Sequence, residues 1–404
     1  MNGGISENMI SEEAAREKIL AATEPLECES LPLAAARGRF ASCDIFAKLP
    51  LPLFDNSAMD GYAARAEDCA AGAQLRVSGE QAAGLDRKLT VEPGCAVRIF
   101  TGAPIPRGAD AVIMQEDVRA ENGSITVLNG VQLNENIRKC GGDLCAGEKI
   151  VSQHDIITPQ SASLLASQGF ANVSVHRAPR VAILSTGDEL AAPGDALSPG
   201  QIYESNGVML EMLAQNAGAQ FVARLGSVSD EADALREKLR AGLDQNDALI
   251  ISGGVSVGEH DLVKSELRNL GAQLDIWRVA VRPGKPFLFG QFGSGRGRCA
   301  IFGLPGNPGS SFVTFLLFVR PALLKMLGAR DLFLPRANAI LASDLRNDSD
   351  RPHYFRGKFS DGKFTPFGRQ ESHALFGLSQ SNALFRSAPG ESAAAGSPAE
   401  ILRI

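Results

Sequence analysis

A chain of 404 residues exceeds what one hydrophobic core usually organises, so several domains are expected. Lys and Arg number 40 against 46 Asp and Glu, a formal charge of −6 without long single-sign blocks, which argues against a nucleic-acid or anionic-membrane surface. Seven scattered cysteines, with no CxxC and no paired CxxC/HxxxH spacing, argue against a disulfide framework and a zinc site and for a reducing cytosol.

The N-terminal stretch MNGGISENMISEEAAREKIL lacks a cationic n-region and an apolar h-region, so no signal peptide is expected. Ser11 is placed to cap a helix over 11–22, with Ile19 and Leu20 among its apolar positions. From about 50 to 144 the pattern changes to short strands at 75–78, 96–100, 111–115 and 124–128 between Gly/Pro turns, an all-β insertion. Cys140 and Cys145 flank Gly141-Gly142-Asp143-Leu144 with no nearby histidine to act as base, and read as structural or incidental thiols. Thr158-Pro159 opens a second helix over 159–167.

From Arg180 to about Gly328 strands and helices alternate. Strands are expected at 181–184, 221–225, 248–251, 287–289 and 299–302, with a β segment through 277–281. Helices are expected at 206–217, 230–243 and 262–270, and a long one starts at Pro308. Such alternation implies a mainly parallel sheet covered by helices, with ligands at the carboxyl ends of the strands. The most apolar run, 312–319, is expected to stop at Arg320-Pro321, far short of the ~20 residues that cross a bilayer, so the chain reads as soluble and intracellular. After Pro335, strands at 337–341, 354–359 and 401–404 suggest a small C-terminal barrel or sandwich.

The chemistry-bearing motifs fall on turns after strands or at helix starts. In ISGGVSVGEHD (251–261), a buried strand runs into Gly253-Gly254, where a backbone without Cβ atoms can bring N–H groups against a bulky anion. The spacing from Gly253 to Gly258 imitates a Walker A loop, but Glu259 and His260 stand where Lys and Ser/Thr are required; an ordinary strand-to-helix turn is the alternative. RPGKP (282–286) holds Lys285 between two rigid prolines beside Arg282, aiming cations at an oxyanion or forming a plain β-turn. STGDEL (185–190) projects Asp188 and Glu189 from a strand end, as a magnesium site or a solvated acidic turn. GLPGNP (303–308) leads into a helix with Asn307 as N-cap and Pro308 at the first position, an anion site or simple capping. In the β insertion, PLFDNSAMDGYA (52–63) is rich in turn formers, and Asp60-Gly61 alone would be a turn. TGAP (101–104) and NIRKCGGD (136–143) add a hydroxyl, two cations and another carboxylate.

In this order, PLFDNSAMDGYA, RIFTGAPIPRGADAVIMQE, NIRKCGGD, STGDEL, ISGGVSVGEHD, RPGKP, GLPGNP and RQESHALFGLSQSN resemble the molybdopterin molybdenumtransferase family, bacterial relatives of the gephyrin C-terminal domain. The resemblance covers nearly the whole chain from about residue 10. It implies a multidomain α/β and β subunit: an elongated domain from 1–49 and 145–178, an inserted β domain at 50–144, an α/β molybdopterin-binding domain like the adenylyltransferases at 179–330, and a C-terminal β barrel at 331–404. It also implies a homodimer whose cleft, between the α/β and C-terminal domains of one subunit, is completed by the β insertion of the other. The implied reaction joins molybdate to adenylylated molybdopterin with Mg²⁺, releasing AMP and molybdenum cofactor, alongside other cofactor-biosynthesis proteins and without nucleic acid or membrane.

Carried onto this sequence, the resemblance and the chemistry place residues as follows. Ser252, Gly253, Gly254, Ser256, Gly258, Pro305, Gly306 and Asn307 would hold the pterin phosphate side. Arg282 and Lys285, with Arg356 and Ser372, would form the molybdate pocket. Asp188, Glu189, Asp230 and Asp261 would organise Mg²⁺ and the nucleotide. Asp60, Thr101, Arg138 and Asp143 would reach in from the partner subunit, with Asp60 as the carboxylate essential to turnover. Two like charges about 4 Å apart repel by ~4 kcal/mol at an effective dielectric near 20, so a diphosphate beside molybdate requires a metal and fixed cations. The sequence departs from the family at Arg282 and Arg278, where lysine is usual, and carries Glu371 beside Ser372; arginine keeps the charge and offers a planar fork. Two other readings are a non-enzymatic scaffold and an ATP-dependent molybdopterin adenylyltransferase. Scaffolds of this type add an N-terminal domain and linker, and such adenylyltransferases are short chains without PLFDNSAMDGYA.

Overall fold

The computed structural model describes residues 9–228, 231–254 and 262–404, and they pack as two compact units. One unit comprises the described part of Met1–Cys43 with Gln153–Thr158 and Asn172–Ile404; the other comprises Asp44–Ser152 and Pro159–Ala171.

The larger unit is built on a six-stranded sheet in the order Phe221–Val228, Arg180–Thr186, Ala248–Ser252, Cys299–Leu304, Pro286–Phe292, Gln273–Arg278. The first four strands are parallel and the last two join antiparallel. Alternate residues face opposite sides, as the strand period of two requires. Val181, Ile183, Ala248 and Ile250 pack with helix Asn206–Asn216 and the segment from Pro308, whereas Ala182, Leu184, Leu249 and Ile251 pack with helices Ala232–Leu243 and Leu262–Asn269. Phe287, Phe302, Phe315 and Phe318 are wholly buried, each stabilising the fold by about 2–3 kcal/mol relative to exposure. The strand expected at 277–281 begins earlier, at Gln273, and ends at Arg278.

The apolar run at 312–319 does not end at Arg320-Pro321 as expected. A π-helical turn, Phe315–Val319, intervenes between Pro308–Thr314 and Arg320–Met326, so Pro321, which has no N–H to give, sits where the π turn passes back into α-helix. The whole segment Pro308–Met326 is long and apolar enough to cross a membrane by length and composition, but 78% of its apolar window is buried in this unit. Helix Glu12–Ala21 matches its sequence signal, the Ser11 hydroxyl accepting the Ala14 N–H at 3.1 Å.

The C-terminal residues of the same unit close a five-stranded barrel, Arg336–Leu341, Lys363–Pro366, His353–Ser360, Ala383–Ser387 and Pro398–Arg403, around Leu341, Phe355, Phe364, Phe385 and Ile401. Of the two expected forms, barrel or sandwich, the barrel is found.

The smaller unit holds a six-stranded sheet in the order Ala111–Met114, Gly61–Ala64, Cys95–Ile99, Gln74–Gln81, Ser124–Val127, Val118–Glu121, over a core of Tyr62, Leu75, Ile113 and Ile125. Four of its strands fall where the alternating pattern predicted them. All seven cysteines are free. Burial pushes the Cys69 thiol up to about 11 and the Cys299 thiol well above its ordinary range, so neither is a ready nucleophile.

Candidate active site

In the larger unit a cleft of about 1030 Å³ opens at the carboxyl ends of the parallel strands. Thr186, Ser252 and Leu304 end three of those strands, and the turns that follow them line it. Gly253 and Gly254 have φ of 87° and 62°. A Cβ on Gly253 would stand 2.5 Å from the Thr186 carbonyl oxygen, and one on Gly254 2.5 Å from Thr186 Oγ1. Glycine is thus required at both places by conformation and by space. Ser256, Gly258 and Asp261 of the same motif lie outside the described residues, as does Asp230.

Helix Pro308–Thr314 starts at the cleft with Asn307 as N-cap by backbone conformation, but its side chain makes no capping bond. The Asn307 amide instead donates to Ser372 Oγ at 3.0 Å, and the Gly309 N–H donates to the Ser372 carbonyl at 2.8 Å. Pro305, Gly306, Asn307 and Ser372 therefore share one wall. Arg356, expected at the oxyanion, does not line the cleft. It is fully buried, and its guanidinium donates to the carbonyls of Arg369, Glu371 and Ala374 at 3.1, 2.9 and 3.3 Å. Both of its Nη atoms are spent on shaping the loop that presents Ser372, its Nε is buried without a partner among the described residues, and a Cβ on Gly309 would meet its Nη1 at 2.5 Å.

Arg282 and Lys285 line the cleft, both exposed, and neither has a paired carboxylate among the described residues. Glu189 lines it from the turn after strand Arg180–Thr186, while Asp188 is exposed on that turn outside the lining. Three strand spacings, roughly 14 Å, separate that acidic turn from the cationic loop. The cleft thus offers Glu189 at one end and Arg282 and Lys285 at the other, with Glu371 also in its lining beside Ser372. Glu204, Asn206 and Arg351 line it too and carried no sequence signal. Glu204 accepts Ser185 Oγ and Arg224 Nη2, each at 3.0 Å, and Asn206 donates to Ser252 Oγ at 2.8 Å and to the Gly306 carbonyl at 2.7 Å.

In the smaller unit the structure brings Asp60 and Thr101 together. Asp60 Oδ1 accepts both the Thr101 N–H at 2.7 Å and its hydroxyl at 2.8 Å. These two bonds, with nearby Arg98, hold the Asp60 carboxyl below its ordinary value and hence ionised. Asp60-Gly61 is not merely a turn: Gly61 begins a buried strand, and a Cβ there would lie 1.9 Å from the Ile113 carbonyl oxygen. Arg138 pairs across strands with Asn56, and the Asp143 N–H donates to the Leu51 carbonyl at 2.9 Å, leaving both side chains exposed. Asp55 is held ionised by the Cys140 N–H and by Lys139 at 2.9 Å, which anchors the loop between them.

Three family models match the chain in succession: "MoeA N-terminal region (domain I and II)" over 10–169, "Probable molybdopterin binding domain" over 182–325 and "MoeA C-terminal region (domain IV)" over 338–404. A molybdopterin molybdenumtransferase of Haemophilus influenzae is 38% identical over 382 residues, covering 93% of each chain. The chain belongs to the molybdopterin molybdenumtransferase family. Another member, molybdopterin molybdenumtransferase 2 of Mycobacterium tuberculosis, is 36% identical over 370 residues, 88% of this chain and 89% of its own. A crystal structure of a molybdopterin biosynthesis MoeA protein from Pyrococcus horikoshii superposes with a TM-score of 0.82 at 30% identity, covering 98% of this chain and 100% of its own. The fold class expected of the family, α/β with additional β domains and a C-terminal barrel, is the one observed.

Proposed function

We propose that this chain inserts molybdenum into molybdopterin, joining molybdate to adenylylated molybdopterin with Mg²⁺ and releasing AMP and molybdenum cofactor. Family membership supports the transferase reading, and the observation that carries it to this site is the pair of cations, Arg282 and Lys285, exposed on the cleft and without a paired carboxylate among the described residues. A polyanionic substrate ending in an oxyanion is the kind of ligand such a cationic loop would meet.

Molybdate is a substrate here. Arg282, Lys285 and the Ser372 hydroxyl would hold it, with Arg356 setting the Ser372 loop. Ser252, Gly253, Gly254, Pro305, Gly306 and Asn307 would receive the phosphate side, joined by Ser256 and Gly258. Among the described residues no three His, Cys, Asp or Glu side chains converge on a metal position. Magnesium takes one or two protein carboxylates and completes its shell with phosphate oxygens and water. Glu189 would supply one carboxylate, with Asp188, Asp230 and Asp261 as the others expected there. Magnesium would supply charge neutralisation for the diphosphate. The dithiolene sulfurs of the substrate take up molybdenum, so no protein nucleophile is required.

The rest of the reading follows the family resemblance. The chain acts as a cytoplasmic homodimer of four-domain subunits, and Asp60, Thr101, Arg138 and Asp143 complete the cleft from the partner copy. Asp60, kept ionised by Thr101, orients metal or water.

The test incubates the purified protein with adenylylated molybdopterin and Mg²⁺, with and without molybdate, and quantifies AMP. Release is expected to require molybdate, and Asp60→Asn is expected to slow it about a hundredfold. Full activity in that variant would remove Asp60 from the chemistry, and tight binding without release would make the chain a carrier or scaffold.

A further inference from the structure

The loop carrying Arg282 and Lys285 is suspended between two segments remote from it in sequence. On one side Ile10 pairs in parallel with Val279: the Ile10 N–H donates to the Arg278 carbonyl at 3.1 Å, and its carbonyl accepts the Ala280 N–H at 2.9 Å. On the other side Arg282 pairs with His353, the Arg282 N–H donating to the Pro352 carbonyl and the Tyr354 N–H to the Arg282 carbonyl, both at 2.8 Å. Residues 278–282 are therefore the middle rung between the start of the N-terminal helix and the first residues of a barrel strand.

Buried side-chain bonds tie the two outer rungs together. The Tyr354 hydroxyl donates to Glu12 Oε1 at 2.6 Å, with the two residues 1% and 2% exposed. Glu12 is also paired with Arg16 at 3.0 Å and Arg386 at 3.2 Å, and Arg386 lies opposite Tyr354 on the neighbouring barrel strand. The frame is closed: Ile10 and Glu12 are two residues apart, Arg282 and Tyr354 are bonded through the backbone, and the hydroxyl completes the circuit. Arg282 and Lys285 are long, exposed and without paired carboxylates among the described residues, so no ion pair fixes their charges and the course of their backbone sets the origin from which they reach.

We propose that Glu12 and Tyr354 are positioning residues that hold the cationic loop in register for its oxyanion. The inference rests on reading Arg282 and Lys285 as the oxyanion-binding pair. Loss of the hydroxyl leaves Arg386 bridging Glu12 and Glu13 from the adjacent barrel strand, but removes the bond that fixes Tyr354 itself, whose N–H holds the Arg282 carbonyl, so the loop beside it gains freedom. An element that aims a charge from a distance acts on binding of the group it faces, and leaves contacts elsewhere in the cleft in place.

Tyr354→Phe in the full chain is the test. The KM for molybdate is expected to rise about tenfold, while the KM for adenylylated molybdopterin and kcat at saturating molybdate change by less than about twofold. Amide exchange at Ala280 and Arg282 should accelerate, with the amides of strand Ala248–Ser252 unchanged. A lower melting temperature with unaltered molybdate KM and unaltered exchange at 280 and 282 would overturn the proposal and leave the bond as a stabilising staple. Should Tyr354→Phe fail to fold, Glu12→Ala removes the same bond together with the ion pairs to Arg16 and Arg386, and faster exchange at 280 and 282 than in strand Ala248–Ser252 separates loosening of the loop from a general loss of stability. If the unaltered protein shows no molybdate-dependent AMP release, the functional reading fails. Amide exchange and calorimetric titration with molybdate alone would then still decide whether the bond positions the loop.

Discussion

His353 sits beside the cationic loop, 4% exposed, with its ring 3.9 Å from that of Phe355. Burial, then the charges of Arg282, Arg356 and Arg351, bring its pKa down to about 4 from an ordinary 6.5. A base whose folded value is depressed contributes full stability above its unfolded value and loses it as pH falls, here between about 6.5 and 4. The shift corresponds to roughly 3 kcal/mol lost across that window. Denaturant unfolding of the native chain and of His353→Gln from pH 7 to 4 checks this, the variant being expected to show a flatter profile. Individual residues were legible where a motif placed them after a strand: Glu189, Arg282, Lys285 and the Gly253-Gly254 pair all reach the cleft. Arg356 was legible as a cation but not as a buried one, because its partners are main-chain carbonyls at 369–374, which have no sequence signature.

Local sequence chemistry set the elements well where a single segment carries the decision. Ser11 caps its helix as expected, since the bond closes within three residues. Two decisions went the other way because the deciding contact lies elsewhere in the chain. Pro321 reads as a stop but is absorbed by a π turn inside a helix that the surrounding core keeps continuous. Gly61 reads as half of a turn, whereas its lack of a side chain admits the neighbouring strand at Ile113. Gly61→Ala should therefore destabilise the smaller unit by roughly 3 kcal/mol through overpacking. Gly297→Ala, where an added Cβ meets nothing within 4 Å, is expected to be close to neutral by thermal unfolding.

At the scale of the whole molecule, the proposed homodimer predicts a solution mass of twice 42.7 kDa, measurable by sedimentation equilibrium. If the partner copy completes each cleft, mixing Asp60→Asn and Lys285→Ala chains, each inactive alone, restores activity. Random pairing makes half of the dimers mixed, each with one intact cleft of two, so about a quarter of the native activity should return. No recovery would mean that Asp60 serves the cleft of its own chain. The sequence by itself determined the element types, the alternating sheet, the small β sheet and the motifs of the cleft, because propensity, period and turn chemistry act over a few residues. Only the tertiary structure decided that Arg356 is spent on a loop, that Glu204, Asn206 and Arg351 join the cleft, and that Ile10, Glu12 and Tyr354 frame the cationic loop. Those outcomes rest on bonds between residues far apart in the chain, for which no local pattern exists.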